Sequence, residues 1–259
     1  MFGIDYFFLY LPEKMKIFIP TFFVTFFISV VMLFGQEQIS ADQRARTDYF
    51  KESGPFSILY TGRIPDVYPN LPFKEPPFLY SYDFIIGNLS YNGRLYENVF
   101  LNLNVHKNQL YVSQTEKANQ QQIIELDPLL VDFFTFKKEK FIYYNVQEYK
   151  AVAPPGYYAY LLEGEFSLLR NTSKTFNEKL DKETQKVVYN FIPKETYILI
   201  HNGIPYKLTG KKSLLTLLNK HPKEMRTFIR NARLRFNTSS PEIGDSYLLY
   251  VTYYETINK

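Results

Sequence analysis

Three histidines and 26 acidic side chains are the groups with which this 259-residue chain could hold a metal or move a proton; it has no cysteine. His106, His201 and His221 each lie beside a turn signal, and none has a second histidine near it in sequence. Zinc sites draw on three or four convergent ligands, so isolated turn histidines read as surface residues. Without cysteine, disulfides, thiol catalysis, thiolate metal sites and lipid attachment through an N-terminal thiol are all excluded. No His-Glu-x-x-His, Gly-x-Ser-x-Gly, Gly-x-Gly-x-x-Gly or P-loop pattern occurs. The acidic residues leave room for a carboxylate pair of the kind glycoside hydrolases use, but nothing in sequence selects a pair. No residue is therefore assigned a catalytic, cofactor-binding or metal-binding role, and no cofactor is expected.

Charge offers the one positive chemical signal. Between Lys207 and Arg235 lie nine Lys and Arg against a single acid, Glu224, which leaves the rest of a chain of net charge +4 on the acidic side. From Pro222 onward, Met225, Phe228, Ile229 and Ala232 recur at i, i+3, i+4 and i+7, the stripe of a helix facing a core. Lys223, Arg226, Arg230 and Arg233 collect on a different face, roughly 120° away at about 100° per residue. A charge run of this kind is either a solvated face or a contact for an anionic surface: lipid head groups, acidic polysaccharide or an acidic partner protein.

The elements that must carry these residues are mostly strands. The chain holds 24 Phe and 23 Tyr and no Trp, and Phe and Tyr suit pleated, half-buried surfaces. Residues 84–112 alternate apolar and polar side chains around Asn92-Gly93, a type I′ hairpin signal. Val99, Leu101, Leu103 and Val105 then face one way and Asn98, Asn102 and Asn104 the other, as in a half-buried strand. Short strands are expected over 110–113, 123–126, 129–136 and 140–146, with Lys137–Lys140 as a charged turn. Strands at 157–162 and 165–170 flank Glu163-Gly164, and those at 196–201 and 205–208 flank a second Asn-Gly, Asn202-Gly203. The polar run 171–186 reads as a loop with a helical turn. Ser213 is placed as N-cap of a helix over 214–220, and Pro222 in the first turn of the next. Residues 247–257 (YLLYVTYYETI) fit a last helix or strand, with a lean towards helix.

Ahead of these lie a leader and an arm. Ile17–Gly35 carries no charge, Lys14 and Lys16 precede it, and Gln36-Glu37-Gln38 follows. A basic start, an apolar stretch and a small residue at its end are the parts of a secretory signal peptide. That makes residues 1–35 the leader and Gln36 the mature N-terminus, with an uncleaved inner-membrane anchor as the alternative. Met15-Lys16 would start such a leader by itself, so residues 1–14 read as an upstream extension. Residues 36–79 form a polar, then proline-rich arm; its six prolines from Pro55 to Pro77 preclude a regular helix and indicate an extended segment laid across the domain.

Several segments resemble a group of exported proteins of Bacteroidota: the 87–99 stretch GNLSYNGRLYENV, Pro155-Gly156-Tyr157-Tyr158, and Lys211-Lys212-Ser213-Leu214-Leu215 leading to Phe228-Ile229-Arg230. The resemblance, over about residues 73–236 and resting on turn and cap patterns, implies export across the inner membrane of a Gram-negative cell and brings no activity or site residues.

The expectation is thus an α+β protein. Residues 80–259 form one domain, an antiparallel meander or curled sheet of about 8–11 strands with helices over 213–234 packed on it. The expected role is a non-enzymatic binding or scaffolding module in the periplasm or at the outer membrane, with a carboxylate-using, carbohydrate-active or other hydrolase as the alternative. The expected partner is another envelope protein or an anionic surface. Membrane contact would be through the leader or peripheral, and export sets nucleic acid aside.

Overall fold

The local alternation assembles into one ten-stranded antiparallel sheet with three helices against it. The computed structural model describes residues 58–66, 68, 73, 75–119, 122–180, 187–237 and 240–258, all within one unit, Gly54–Lys259. The leader and the first part of the arm lie outside the described residues. The strands are β1 Ile85–Tyr91, β2 Arg94–Asn104, β3 Gln109–Ser113, β4 Ile124–Glu125, β5 Val131–Phe136, β6 Glu139–Tyr144, β7 Gly156–Leu162, β8 Phe166–Leu180, β9 Val187–His201 and β10 Ile204–Leu208. The helices are α1 Lys211–Leu217, α2 Pro222–Asn231 and α3 Ile243–Asn258.

The order across the sheet is β10-β9-β8-β7-β6-β5-β1-β2-β3-β4. The meander therefore has one departure: after β4 the chain returns to lay β5 beside β1. Gly87 makes that neighbour possible, because a Cβ there would sit 2.0 Å from the carbonyl oxygen of Thr135 on β5. Both Asn-Gly pairs close hairpins as expected, with φ of 52° and 71° at Asn92-Gly93 and 51° and 77° at Asn202-Gly203. The sheet is open but curled. Asn108, in the β2–β3 turn, accepts the Tyr157 N–H through Oδ1 at 3.1 Å and donates to the Pro155 carbonyl, joining that turn to β7.

Several expectations need correction. The polar run after Arg170 is strand as far as Leu180, paired residue for residue with β9 down to Leu180–Val187; residues 181–186 lie outside the described part. The turn between β5 and β6 is Lys137-Lys138, both at positive φ, and Glu139 already belongs to β6. β2 is half-buried only in its first part, where Asn98 is exposed beside buried Val99; further on, Asn102 and Asn104 are buried with Leu101 and Leu103. The reason is the arm. Leu79 donates to the Leu103 carbonyl and Val105 to that of Pro77, so residues 77–84 continue the line of β1 irregularly. The Asn102 amide faces the carbonyls of Ser81, Tyr82 and Asp83. The extended arm also bridges both ends of the sheet, through Arg63 to Glu125 and Phe73 to Tyr189.

In the helical layer, α1 starts three residues earlier than expected. Gly210, at φ 131°, turns the chain out of β10, and Ser213 sits inside the helix, accepting the Thr209 N–H and donating to the Gly210 carbonyl. Pro222 does occupy the first turn of α2, and the ambiguous C-terminal segment is helix. Met225 and Ile229 are buried, Phe228 is half-buried against Tyr253 at 4.0 Å between ring centroids, and Ala232 is exposed because the helix has already ended. Together with Leu214, Tyr247, Tyr250 and Val251 these helices cover Phe166, Leu168, Tyr197, Leu199 and Leu208. Each fully buried leucine contributes roughly 1.5–3 kcal/mol.

Candidate functional site

Even-numbered residues of β8 and odd-numbered residues of β9 share the face that the helices cover, because side chains alternate along a strand. Following that face past the helices, Phe166 and Leu168 give way to Arg170, and Leu199 and Tyr197 to Glu195. Here lies the most connected ionisable cluster among the described residues. Arg170 donates from Nη2 to Glu139 Oε1 at 2.6 Å, and its Nε lies 3.9 Å from Glu195 Oε1. Tyr80, just past the arm, donates to Glu139 Oε2 at 2.6 Å, and Tyr197 donates to Glu195. Lys137 caps the Tyr80 ring, its Nζ 3.9 Å from the centroid.

The cluster joins β6, β8 and β9 to the segment between arm and β1, and its electrostatics describe a clamp. Burial, then the hydrogen bond to a carboxylate and that carboxylate's charge, push both Tyr80 and Tyr197 well above the ordinary phenol range. Both stay protonated donors near neutrality and offer no proton exchange there. The two carboxylates share one guanidinium, whose side chain is 21% exposed. Two carboxylates held on one cation are poorly arranged for hydrolysis, which needs one free acid and one free base or nucleophile. None of these residues was picked from sequence. The available signal was parity: Arg170 falls at the next core-facing position after Phe166 and Leu168.

Lys174, four residues further on along the same face, is 8% exposed. Its ammonium donates to the carbonyls of Pro76 (2.9 Å) and Phe78 (2.6 Å), pinning the arm to β8. Burial, only partly offset by Glu75, lowers its pKa. Beyond it the arm's Tyr68 and Phe73 pack edge-on against Phe191 and Phe176.

The basic residues singled out from sequence lie on α2 and just past its C-terminal end. Lys223, Arg226 and Arg230 are exposed on that helix. Arg233 is exposed too, but lies past the helix end at φ 54°. It occupies the left-handed position of a Schellman turn, with Leu234 N–H bonded to the Ile229 carbonyl and Arg233 N–H to that of Arg230. None of the four makes an ion pair or side-chain hydrogen bond to a described residue, whereas Arg235 lies 3.8 Å from Glu242. Part of the pattern serves the helix itself: Glu224 in the first turn and Arg230 in the last complement its dipole, at about 0.3–1 kcal/mol each.

The histidines stay apart. His106 donates from Nδ1 to the Lys174 carbonyl at 2.9 Å, His201 stacks on Phe166, and His221 precedes α2. No group of three or more potential metal ligands occurs among the described residues. No described helix is long and apolar enough to cross a membrane. No protein-family model matches the chain, and neither a curated protein nor a solved structure matches it.

Proposed function

We propose that this chain is exported to the cell envelope and acts there as a non-enzymatic binding or scaffolding module, docking on an anionic surface through Lys223, Arg226, Arg230 and Arg233. The observation that carries the reading is that four neighbouring cations project into solvent with no described counter-ion. Such a patch attracts an anionic surface over a Debye length, about 10 Å at 0.1 M salt. Export is supported by sequence alone: the basic start at Lys14 and Lys16 and the uncharged stretch from Ile17 to Gly35. The periplasm or the outer membrane is the proposed location.

Reversal of all four residues to Glu tests the docking. The expected result is a folded protein, judged by circular dichroism, that no longer sediments with envelope fractions at low salt. Association equal to wild type would overturn it.

A further inference from the structure

Open sheets carry edges, and exposed edges are normally blunted. In β10 the outward backbone positions are Pro205 and Lys207, since Ile204 pairs with His201 across the two-residue turn; Pro205 has no N–H to offer. β4 is covered by the arm, Glu125 N–H donating to the Arg63 carbonyl at 2.8 Å. On the far half of β9 the outward positions are odd-numbered. Pro193 has no N–H, the Phe191 N–H is taken by Asn190 Oδ1, and Tyr189 is bridged to Phe73.

The outer edge of β8 is different. Even-numbered residues point outward there, as Lys174 demonstrates: its N–H donates to the Val105 carbonyl and its own carbonyl accepts from His106. By the same alternation the N–H and C=O groups of Phe176, Glu178 and Leu180 also point outward, and none meets a described residue. Phe176 and Leu180 are 40% and 53% exposed, with exposed Glu178 between them on the same face. The edge is rigidly presented: β8 pairs with β9 throughout, and the Phe176 ring stacks on Tyr189 at an interplanar angle of 15°.

We propose that this edge, from Phe176 to Leu180, docks an extended strand of another polypeptide, one with a basic side chain opposite Glu178 and apolar side chains opposite Phe176 and Leu180. Backbone groups left open on alternate residues of an edge strand are the pattern to which an added strand bonds. A second copy of this chain fits poorly. The antiparallel register that matches Phe176 with Leu180 of the second copy sets Glu178 against Glu178, and like charges directly opposite are destabilising. The registers shifted towards Lys174 set Phe176 against Glu178 or against itself, and both bring in the Lys174 N–H already given to Val105; those shifted the other way run past Leu180, the last described residue of β8. The single charge at the centre of the edge thus selects a basic strand over a copy. This surface is separate from the basic face of α2, so either proposal stands without the other.

The test uses the full chain, isotope-labelled, and a capped peptide of seven residues with isoleucine at its second and sixth positions, lysine at the fourth and threonine elsewhere. Amide exchange at Phe176, Glu178 and Leu180 is expected to slow at least about tenfold on saturation, while Asn177 and Lys179, already bonded to β9, do not change. A peptide with glutamate at the fourth position should bind about fivefold more weakly, and Glu178→Lys should reverse that preference. Absence of the alternating protection at millimolar peptide, or equal binding of both peptides, would overturn the proposal. So would a dimer in sedimentation that Phe176→Lys dissolves, since the edge would then belong to a second copy.

Discussion

β8 and β9 keep one register over 15 residues each, yet their two halves live in different surroundings. In the near half Phe166, Leu168, Tyr197 and Leu199 are all buried under the helices. In the far half Phe176, Leu180, Val187 and Ile192 are each 39% exposed or more, and only part of one face is covered, by the arm. Arg170, Glu195 and Lys174 mark the change from one to the other. The contrast teaches that register and pairing do not decide whether a ribbon is core or surface. What is laid on it decides that.

The sharpest way to break the comparison is to truncate one leucine in each half. Leu199, fully buried among the helices, should cost about 3 kcal/mol as Leu199→Ala. Leu180→Ala should stay within about 0.5 kcal/mol. Urea midpoints at unchanged slope measure both, and equal losses would mean that the two halves are equally packed. Next in size is the boundary. Arg170→Met leaves Glu139 and Glu195 facing each other without their cation, at an expected loss of about 2 kcal/mol after allowing for partial exposure.

Alkali sharpens the comparison further. Burial pushes Tyr250, on the core side of α3, and Tyr158, packed with Leu169 and Ile198, up to about 12. The unfolded phenols ionise near 10 while the folded ones keep their protons. Stability is therefore full below about pH 10 and falls from there towards pH 12, by about 1.4 kcal/mol per pH unit for each tyrosine. Lys174, lowered from 10.5, acts in the opposite sense, its share of stability rising as pH climbs to that value. Tyr250→Phe should flatten the alkaline slope of the urea midpoint; an unchanged slope would show that Tyr250 ionises freely in the fold.

A smaller loss than these belongs to the contact between Lys174 and the arm. Lys174→Met removes the donor to the Pro76 and Phe78 carbonyls and should cost about 1 kcal/mol globally. Amide exchange at Leu79 and Val105, which bond arm to strand, should quicken well before the near half responds. If all amides respond together, arm and sheet unfold as one.

Legibility followed the range of the interactions. The stripe of Met225, Phe228 and Ile229 and the opposing Lys223, Arg226 and Arg230 were readable, because a helix face is set within a few residues. Arg233 was placed in helical register, yet the Schellman turn takes it out. The run from Asn171 to Leu180 looks like loop in sequence, because Thr172, Ser173, Asn177 and Glu178 carry no apolar alternation. Its strand state comes from β9, whose partner residues lie 7–25 positions further along the chain. The Arg170 cluster escaped for the same reason: Tyr80, Glu139, Arg170 and Glu195 come from four separate segments.

By itself the sequence determined what a few neighbouring residues can settle. Asn92-Gly93 and Asn202-Gly203 reverse the chain, since positive φ at two successive positions is cheap there and costly elsewhere. Proline opens α2, apolar alternation marks 99–104 as strand, and the unbroken apolar run 157–162 lies within β7. Tertiary structure alone decided that β5 lies beside β1, that Asn102 and Asn104 are covered, and that one end of a continuous ribbon is core while the other presents an open edge. Those outcomes depend on which distant segment arrives to satisfy backbone groups and exclude water, and no local pattern encodes that arrival.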